Sequence, residues 1–210
     1  MKKIKVVEFN NWKDKIKRSD SFLDIGCWDG GLVNEITKNK ICDAYGLDID
    51  KDKLALADKK IKNRLKYADA TKKIPFLKKF DWVIVSEVIE HVESDEKLLK
   101  NVSSALKSGG HLILTTPKSI TSFQFWDPAW VRWKFGGPKH YHYTIQELDK
   151  KLKKYNLEIE SYAIGGSLHW VFLRWISVIF RYGLKINMPL SCVERRDGFF
   201  DIKLIAKKVK

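Results

Sequence analysis

The sequence predicts an α/β fold with a parallel sheet, and three observations point to it. From residue 21 to 116, short apolar runs alternate with segments of helical periodicity, the signature of βαβ units. A glycine-punctuated turn, Gly26 to Gly31, joins the first run to the first helix. Acids stand at or near three successive strand ends: Asp24, Asp48 and Asp69.

The elements follow in order. Ser21 to Ile25 is a strand, and Leu32, Val33 and Ile36 then recur at helical spacing. Asp43 to Ile49 is a second strand, followed by a Lys/Ala/Leu-rich helix from Asp52 to Ile61. Leu65 to Ala68 is a third strand, ending at Asp69. Phe80 to Val85 is apolar enough to be buried on both faces. Asp95 to Lys107 reads as a helix with Ser94 or Asp95 as its cap. Ser108-Gly109-Gly110 breaks it, and His111 to Thr116 is the fifth strand. Thr144, with Glu147 three residues on, opens an amphipathic helix to Tyr155 as a capping box. Leu157 to Ala163 and Phe199 to Val209 alternate like strands.

At 210 residues the chain suits a single domain, 1–210, with a Trp-rich insertion near 117–143 and an apolar helical segment near 168–184. A charged fraction of 31% against 44% hydrophobic excludes disordered and collagen-like classes. The net charge of +14 suggests an anionic partner, nucleic acid or a membrane surface. Yet only seven of the 40 basic residues are Arg, the usual phosphate reader. A Lys excess of this kind also arises from biased composition on a solvated surface. Cys27, Cys42 and Cys192 form no CxxC or metal spacing and suit a reducing cytoplasm. Met1 to Lys17 lacks the apolar run of a secretory signal, and no stretch is long and uncharged enough for a transmembrane helix.

The strand-end acids carry chemistry. Glycines after the first strand let backbone approach a ligand, and a carboxylate 18 residues beyond Gly30 stands where ribose is held in nucleotide-binding halves. Leu23-Asp24-Ile25-Gly26-Cys27-Trp28-Asp29-Gly30, Asp48, Asp69-Ala70, Phe80 through Val92 and Leu106 through Leu112 resemble, in order and spacing, the motifs of class I S-adenosylmethionine-dependent methyltransferases. The resemblance covers about residues 21–164. It implies a Rossmann-like, seven-stranded, mostly parallel sheet with helices on both faces and an antiparallel last strand near Phe199 to Val209. It also implies that Asp24, Gly26, Cys27, Trp28, Gly30, Asp48, Ile49, Asp69, Ala70, Ser86 and Glu87 surround S-adenosylmethionine. Asp48 would face the ribose and Asp69 the adenine amino group. The family usually has Gly where Trp28 stands. GxGxxG is absent, which disfavours a dehydrogenase.

Glu87-Val88-Ile89-Glu90-His91 follows the fourth strand. In a helical turn Glu87, Glu90 and His91 would share one side, and with His142 they are credible ligands for Mg²⁺ or another divalent ion. A similar Glu-x-x-Glu-His run holds a metal in quinone-biosynthesis O-methyltransferases, the relatives whose fourth motif this one resembles. Alternatively His91 is a pocket base, with Glu87 and His142 lining the acceptor site. An amino-group signature (Asn/Asp-Pro-Pro-Tyr) and a Cys in the fourth motif are both absent. The expectation is therefore transfer to a small-molecule or lipid-like acceptor, at oxygen before nitrogen or carbon. RNA methylation over the basic surface and a non-catalytic cofactor-binding regulator are the alternatives.

Five of the eight tryptophans lie between Trp126 and Trp175. The insertion could cover the acceptor pocket, stack bases, meet lipid or pack on itself. In 168–184, Arg174, Ser177 and Arg181, with Lys185 beyond, stripe an otherwise apolar helix. That suits either an interfacial helix on an anionic membrane or a helix packed on the sheet. The expected location is cytoplasmic, peripheral to the membrane in the interfacial case.

Overall fold

The computed structural model describes residues 1–39, 41–120, 124–183 and 197–209, the last three of the second-last span by backbone alone. Among the described residues, eight strands form one sheet: β1 (Lys2–Lys3), β2 (Ser21–Ile25), β3 (Asp43–Asp48), β4 (Leu65–Tyr67), β5 (Phe80–Ser86), β6 (Leu106–Pro117), β7 (Leu157–Gly165) and β8 (Asp201–Lys208). Their order is β1-β7-β8-β6-β5-β2-β3-β4. Pairing from β6 through β5, β2 and β3 to β4 is parallel, and β8 runs antiparallel to both β6 and β7. The eighth strand is the two-residue β1, which pairs parallel with the edge of β7 and is too short to be legible as a strand.

Among the described residues, seven α-helices accompany the sheet: α1 (Val6–Asn10), α2 (Gly31–Lys38), α3 (Lys51–Ala55), α4 (Asp95–Ala105), α5 (Pro128–Lys134), α6 (Ile145–Lys153) and α7 (Leu168–Gly183). Two apolar layers result. Leu23, Val83, Val85, Leu98, Leu112 and Leu148 pack in one, and Val6, Phe22, Val33, Ile84 and Ile113 in the other. Successive residues of β2 and β5 thus enter opposite layers, as the period of a strand demands. Full burial of each such side chain contributes about 1.5–3 kcal/mol, so the central strands anchor the fold.

Two helices are shorter than their periodicity suggests. The helix expected over Asp52 to Ile61 ends at Ala55, and Asp58 Oδ1 then accepts the Lys60 N–H, a turn that competes with helix. Helix α4 ends at Ala105, and β6 begins at once by pairing Leu106 with Phe80. Residues 107–110 form an excursion before His111 pairs with Trp82. The capping box at α6 is present in full. The region 117–143 is not wholly irregular, since Asp127 caps α5 with Pro128 in its first turn. Residues 168–183 are helical as expected. Leu184, Lys185 and Cys192, and the side chain of Arg181, lie outside the described residues.

Candidate functional site

Parallel strands β2, β3, β4 and β5 end side by side, and the predicted residues collect in the crevice beyond their carboxyl ends. The turn after β2 is pinned by the Gly26 and Cys27 N–H groups, which both donate to the Leu47 carbonyl (2.9 and 3.1 Å). Gly26 and Gly30 have φ of +79° and +77°, where a side chain is strained. A Cβ on Gly26 would also stand 2.4 Å from Val88 Cγ2. Trp28 adopts φ +54° as well, a conformation costly for a bulky residue. Its N–H donates to Asp48 Oδ2 (2.8 Å), while the Asp50 N–H donates to Oδ1 (2.8 Å). The Trp28 ring is 57% exposed, with the Lys53 ammonium 4.3 Å from its centre.

Asp24 is buried beneath Asp48. Burial, and then the Asp48 charge, push its pKa up to about 7. Asp69 at the end of β4 accepts the N–H and hydroxyl of Thr71 (2.9 and 2.7 Å), which, with Lys72 nearby, hold its carboxyl below the usual range despite some burial. Ile49 is exposed beside Asp48. Ala70 is buried, its carbonyl accepting from Asn101. Thr115 Oγ1 donates to Glu87 Oε1 (2.8 Å), so Ser86 Oγ donates to Thr115 Oγ1 (2.9 Å). Glu87 also has φ +54°. Cys27 departs from expectation. Its side chain is buried against Gly46, so its thiol does not face the crevice. Burial raises its pKa further.

The four expected metal ligands do not converge on one point, although His91 Nε2 lies 3.8 Å from Glu90 Oε1. Residues 88–91 form a tight turn, with the His91 N–H donating to the Val88 carbonyl, rather than a helix that aligns Glu87 with Glu90 and His91. Glu90 is wholly buried and takes a hydrogen bond from Thr116 Oγ1 (3.2 Å). Burial and the nearby Glu87 carboxylate push its pKa up. His91 stays half-open to solvent, its side chain 51% exposed. His142 is buried elsewhere, so it neither joins that set nor opens onto the crevice.

What His142 joins is a cluster that the sequence reading did not assemble. Asp127 is completely buried. Its Oδ2 accepts from His140 Nε2 (2.7 Å) and His142 Nε2 (3.0 Å), and its Oδ1 from Arg174 Nη2 (2.9 Å) and the Ala129 N–H (3.0 Å). Burial opposes ionisation, but the two imidazoles and the Arg174 charge hold the Asp127 carboxyl far below the usual range. Burial first, and the nearby Arg174 charge, lower the His142 pKa despite Asp127. His142 also contacts Gln124 through Nδ1 and stacks on Trp126. Ligand atoms of Asp127, His140 and His142 lie within 4.8 Å of one another, the one such convergence among the described residues. The carboxylate, however, already takes four N–H donors, its full complement, and Arg174 already balances its charge. Arg174 therefore turns inward over Trp170 and Trp126, not outward as part of a basic stripe. The available signal was the Asp-Pro helix start with two histidines spaced by two.

His91 links this cluster to the crevice. Its Nδ1 lies 3.1 Å from the Lys139 carbonyl and 3.5 Å from His140 Nδ1. Burial is the main cause that lowers its pKa.

A model of a methyltransferase domain matches residues 5–162. The chain is 32% identical over 114 residues to the mitochondrial ubiquinone biosynthesis O-methyltransferase of Candida albicans, covering 50% of this chain and 35% of that one. It is 32% identical over 135 residues to the ubiquinone biosynthesis O-methyltransferase of Pelagibacter ubique (strain HTCC1062), covering 59% and 56%. The matches thus span about half, or less, of these curated relatives. Among solved structures, Haemonchus contortus phosphoethanolamine N-methyltransferase 2, in complex with phosphomonomethylethanolamine and S-adenosylhomocysteine, aligns with a TM-score of 0.68 at 18% identity. The alignment covers 98% of this chain and 52% of that one.

Proposed function

Because the chain belongs to the methyltransferase domain family, in its class I S-adenosylmethionine-dependent form, we propose that it methylates an oxygen of a small-molecule or lipid-like acceptor. Bound in the crevice, S-adenosylmethionine supplies a methyl group on a sulfonium, a good leaving arrangement. The residues present fit it. Each Asp48 oxygen accepts one amide and keeps a lone pair for a ribose hydroxyl. Asp69 Oδ2 takes no hydrogen bond, the exposed Lys72 ammonium standing 3.8 Å away, and is left for an amino donor. Holding the acceptor in line and excluding water is the main work of the chain here, an effect that can supply ~7–11 kcal/mol.

The observation that carries the choice of oxygen is His91. It stands half-exposed beside the buried Glu90, whose Oε1 is 3.8 Å from Nε2, beyond hydrogen-bond reach, and the Lys139 carbonyl accepts a proton from its Nδ1. A carbonyl can only accept, so in the neutral ring Nε2 is bare and able to take the proton of an acceptor hydroxyl. The two ubiquinone O-methyltransferase relatives agree with that reading.

A lipid-like acceptor is supported by exposed apolar side chains on the added segments. Phe172 is 62% exposed, and Leu168, Ile179, Phe125 and Phe135 are exposed too. Trp170 is buried, and Trp175 and Phe180 are partly buried. The docking face on α7 is therefore narrower than its sequence suggests, and Arg174 does not serve it. No described helix is long and apolar enough to cross a membrane. Peripheral attachment of a cytoplasmic enzyme remains part of this proposal, and failure to sediment with phosphatidylglycerol vesicles would dispose of it.

No observation favours the two alternatives. Among the described residues, lysines occur at both ends of the sheet and on α6, as Lys15, Lys17, Lys53, Lys72, Lys150 and Lys153 illustrate. An exposed Trp28 does not speak for a pocket filled by its own side chain. The test is a transfer screen with methyl-labelled cofactor against lipid, small-metabolite and RNA fractions. Label in either of the first two supports the proposal, and label confined to RNA overturns it.

A further inference from the structure

We propose that Asp127 and His140 are positioning residues that hold His91 in the tautomer with its proton on Nδ1, leaving Nε2, 3.8 Å from Glu90 Oε1, without a proton and able to take one from the acceptor. The inference rests on His91 being the base.

The Asp127 carboxylate can only accept, so the nitrogen 2.7 Å away, His140 Nε2, carries a proton. In neutral His140 the other nitrogen, Nδ1, is then a bare lone pair. That lone pair faces His91 Nδ1 at 3.5 Å, with ring centres 4.8 Å apart. The Lys139 carbonyl faces the same His91 nitrogen at 3.1 Å. Two acceptors thus converge on His91 Nδ1, and both favour a proton there. The Lys139 contact is the stronger branch of this forked arrangement, and the His140 contact removes the competing donor that the opposite His140 tautomer would present.

Anchoring comes from outside the relay. Arg174 of α7 and the Ala129 N–H occupy Asp127 Oδ1, leaving Oδ2 for the imidazoles. His142 shares Oδ2 and is itself clamped by Trp126 and Gln124. The added segments are thereby wired to a residue at the crevice. During transfer the acceptor O–H bond breaks, its proton moves to His91 Nε2, and the oxygen electron pair forms the new bond to carbon. The S–CH₃ bond breaks with its electrons retained on sulfur.

Nitrogen-15 NMR of protein labelled at its five histidines reads the tautomers directly, with His91→Gln and His140→Gln used to assign signals. In wild-type protein at neutral pH, His91 should show a protonated Nδ1 and bare Nε2, and His140 the reverse. Asp127→Asn supplies the perturbation. Arg174 would hold the amide oxygen, turning the amide NH₂ toward the imidazoles and forcing His140 to protonate Nδ1. His91 should then shift to a mixture of tautomers. Wild-type His91 protonated on Nε2, or a His91 spectrum unchanged in folded Asp127→Asn, overturns the inference. So does a stoichiometric metal in the purified protein that leaves both His140 and His142 without a proton on Nε2. The wild-type spectrum decides the matter even if the variant does not fold. Separately, undiminished label transfer by His91→Gln would sink the base reading whatever the spectra show.

Discussion

Asp48 and Asp127 are both buried carboxylates, yet the two halves of the molecule hold them by different means. Asp48 sits at the end of a strand and receives two backbone amides, from Trp28 and Asp50. Its partners are fixed as soon as β2 and β3 pair and their turns close. Asp127 sits in the segment added after β6, where three of its four donors are side chains, His140, His142 and Arg174, the last 47 residues away. Backbone donors survive most substitutions, whereas side-chain donors are lost one at a time. The Asp48 region is therefore built on pairing geometry, and the Asp127 region on specific long-range side chains.

The largest effect expected from this contrast is at Asp127. Asp127→Ala removes the shared anion of two imidazoles and a guanidinium, and should cost about 3–5 kcal/mol in urea unfolding. A loss under ~1 kcal/mol would mean that the Asp127 region is held by apolar packing alone. Asp48→Ala should act on ligand affinity. Calorimetry with S-adenosylhomocysteine should show roughly 100-fold weaker binding, about 2.7 kcal/mol, since two ribose hydroxyls lose a charged acceptor. Unchanged affinity would break the assignment of the crevice.

Asp24 gives a pH signature confined to the cofactor side. Its folded pKa is raised from 3.8 to about 7, so the folded state keeps a proton that the unfolded chain releases between those values. Stability from this group is full below pH ~4 and falls by up to ~1.4 kcal/mol per unit as pH rises toward 7. Asp24→Asn should flatten that stretch of the unfolding curve, and an unchanged slope would place the proton elsewhere. The smallest effect is expected at Trp28. Trp28→Gly relieves a positive φ but loses the Lys53 contact and gains chain entropy, so stability should change by less than ~1 kcal/mol. A larger loss would show that the ring supports the turn.

How much was legible follows the same division. Strand runs such as Phe80 to Ser86, the glycine turn and the Thr144–Glu147 box are local patterns, and each forms as read. The short helix after Asp50 and the early end of α4 were less legible, because a side-chain cap and a strand pairing overruled periodicity. Composition and spacing also placed Asp24, Asp48 and Asp69 at one edge, since parallel strands bring their ends together whatever lies between. By itself, then, the sequence determined the α/β order and the acids at the strand ends, through interactions between near neighbours and the period of two. Only the tertiary structure decided that Glu90 is buried, that Cys27 turns away, and that His142 leaves the Glu87–His91 loop for Asp127 and Arg174. Those outcomes depend on which distant side chain reaches a buried charge first, and a buried charge accepts only the partners that the packed chain brings within about 3 Å.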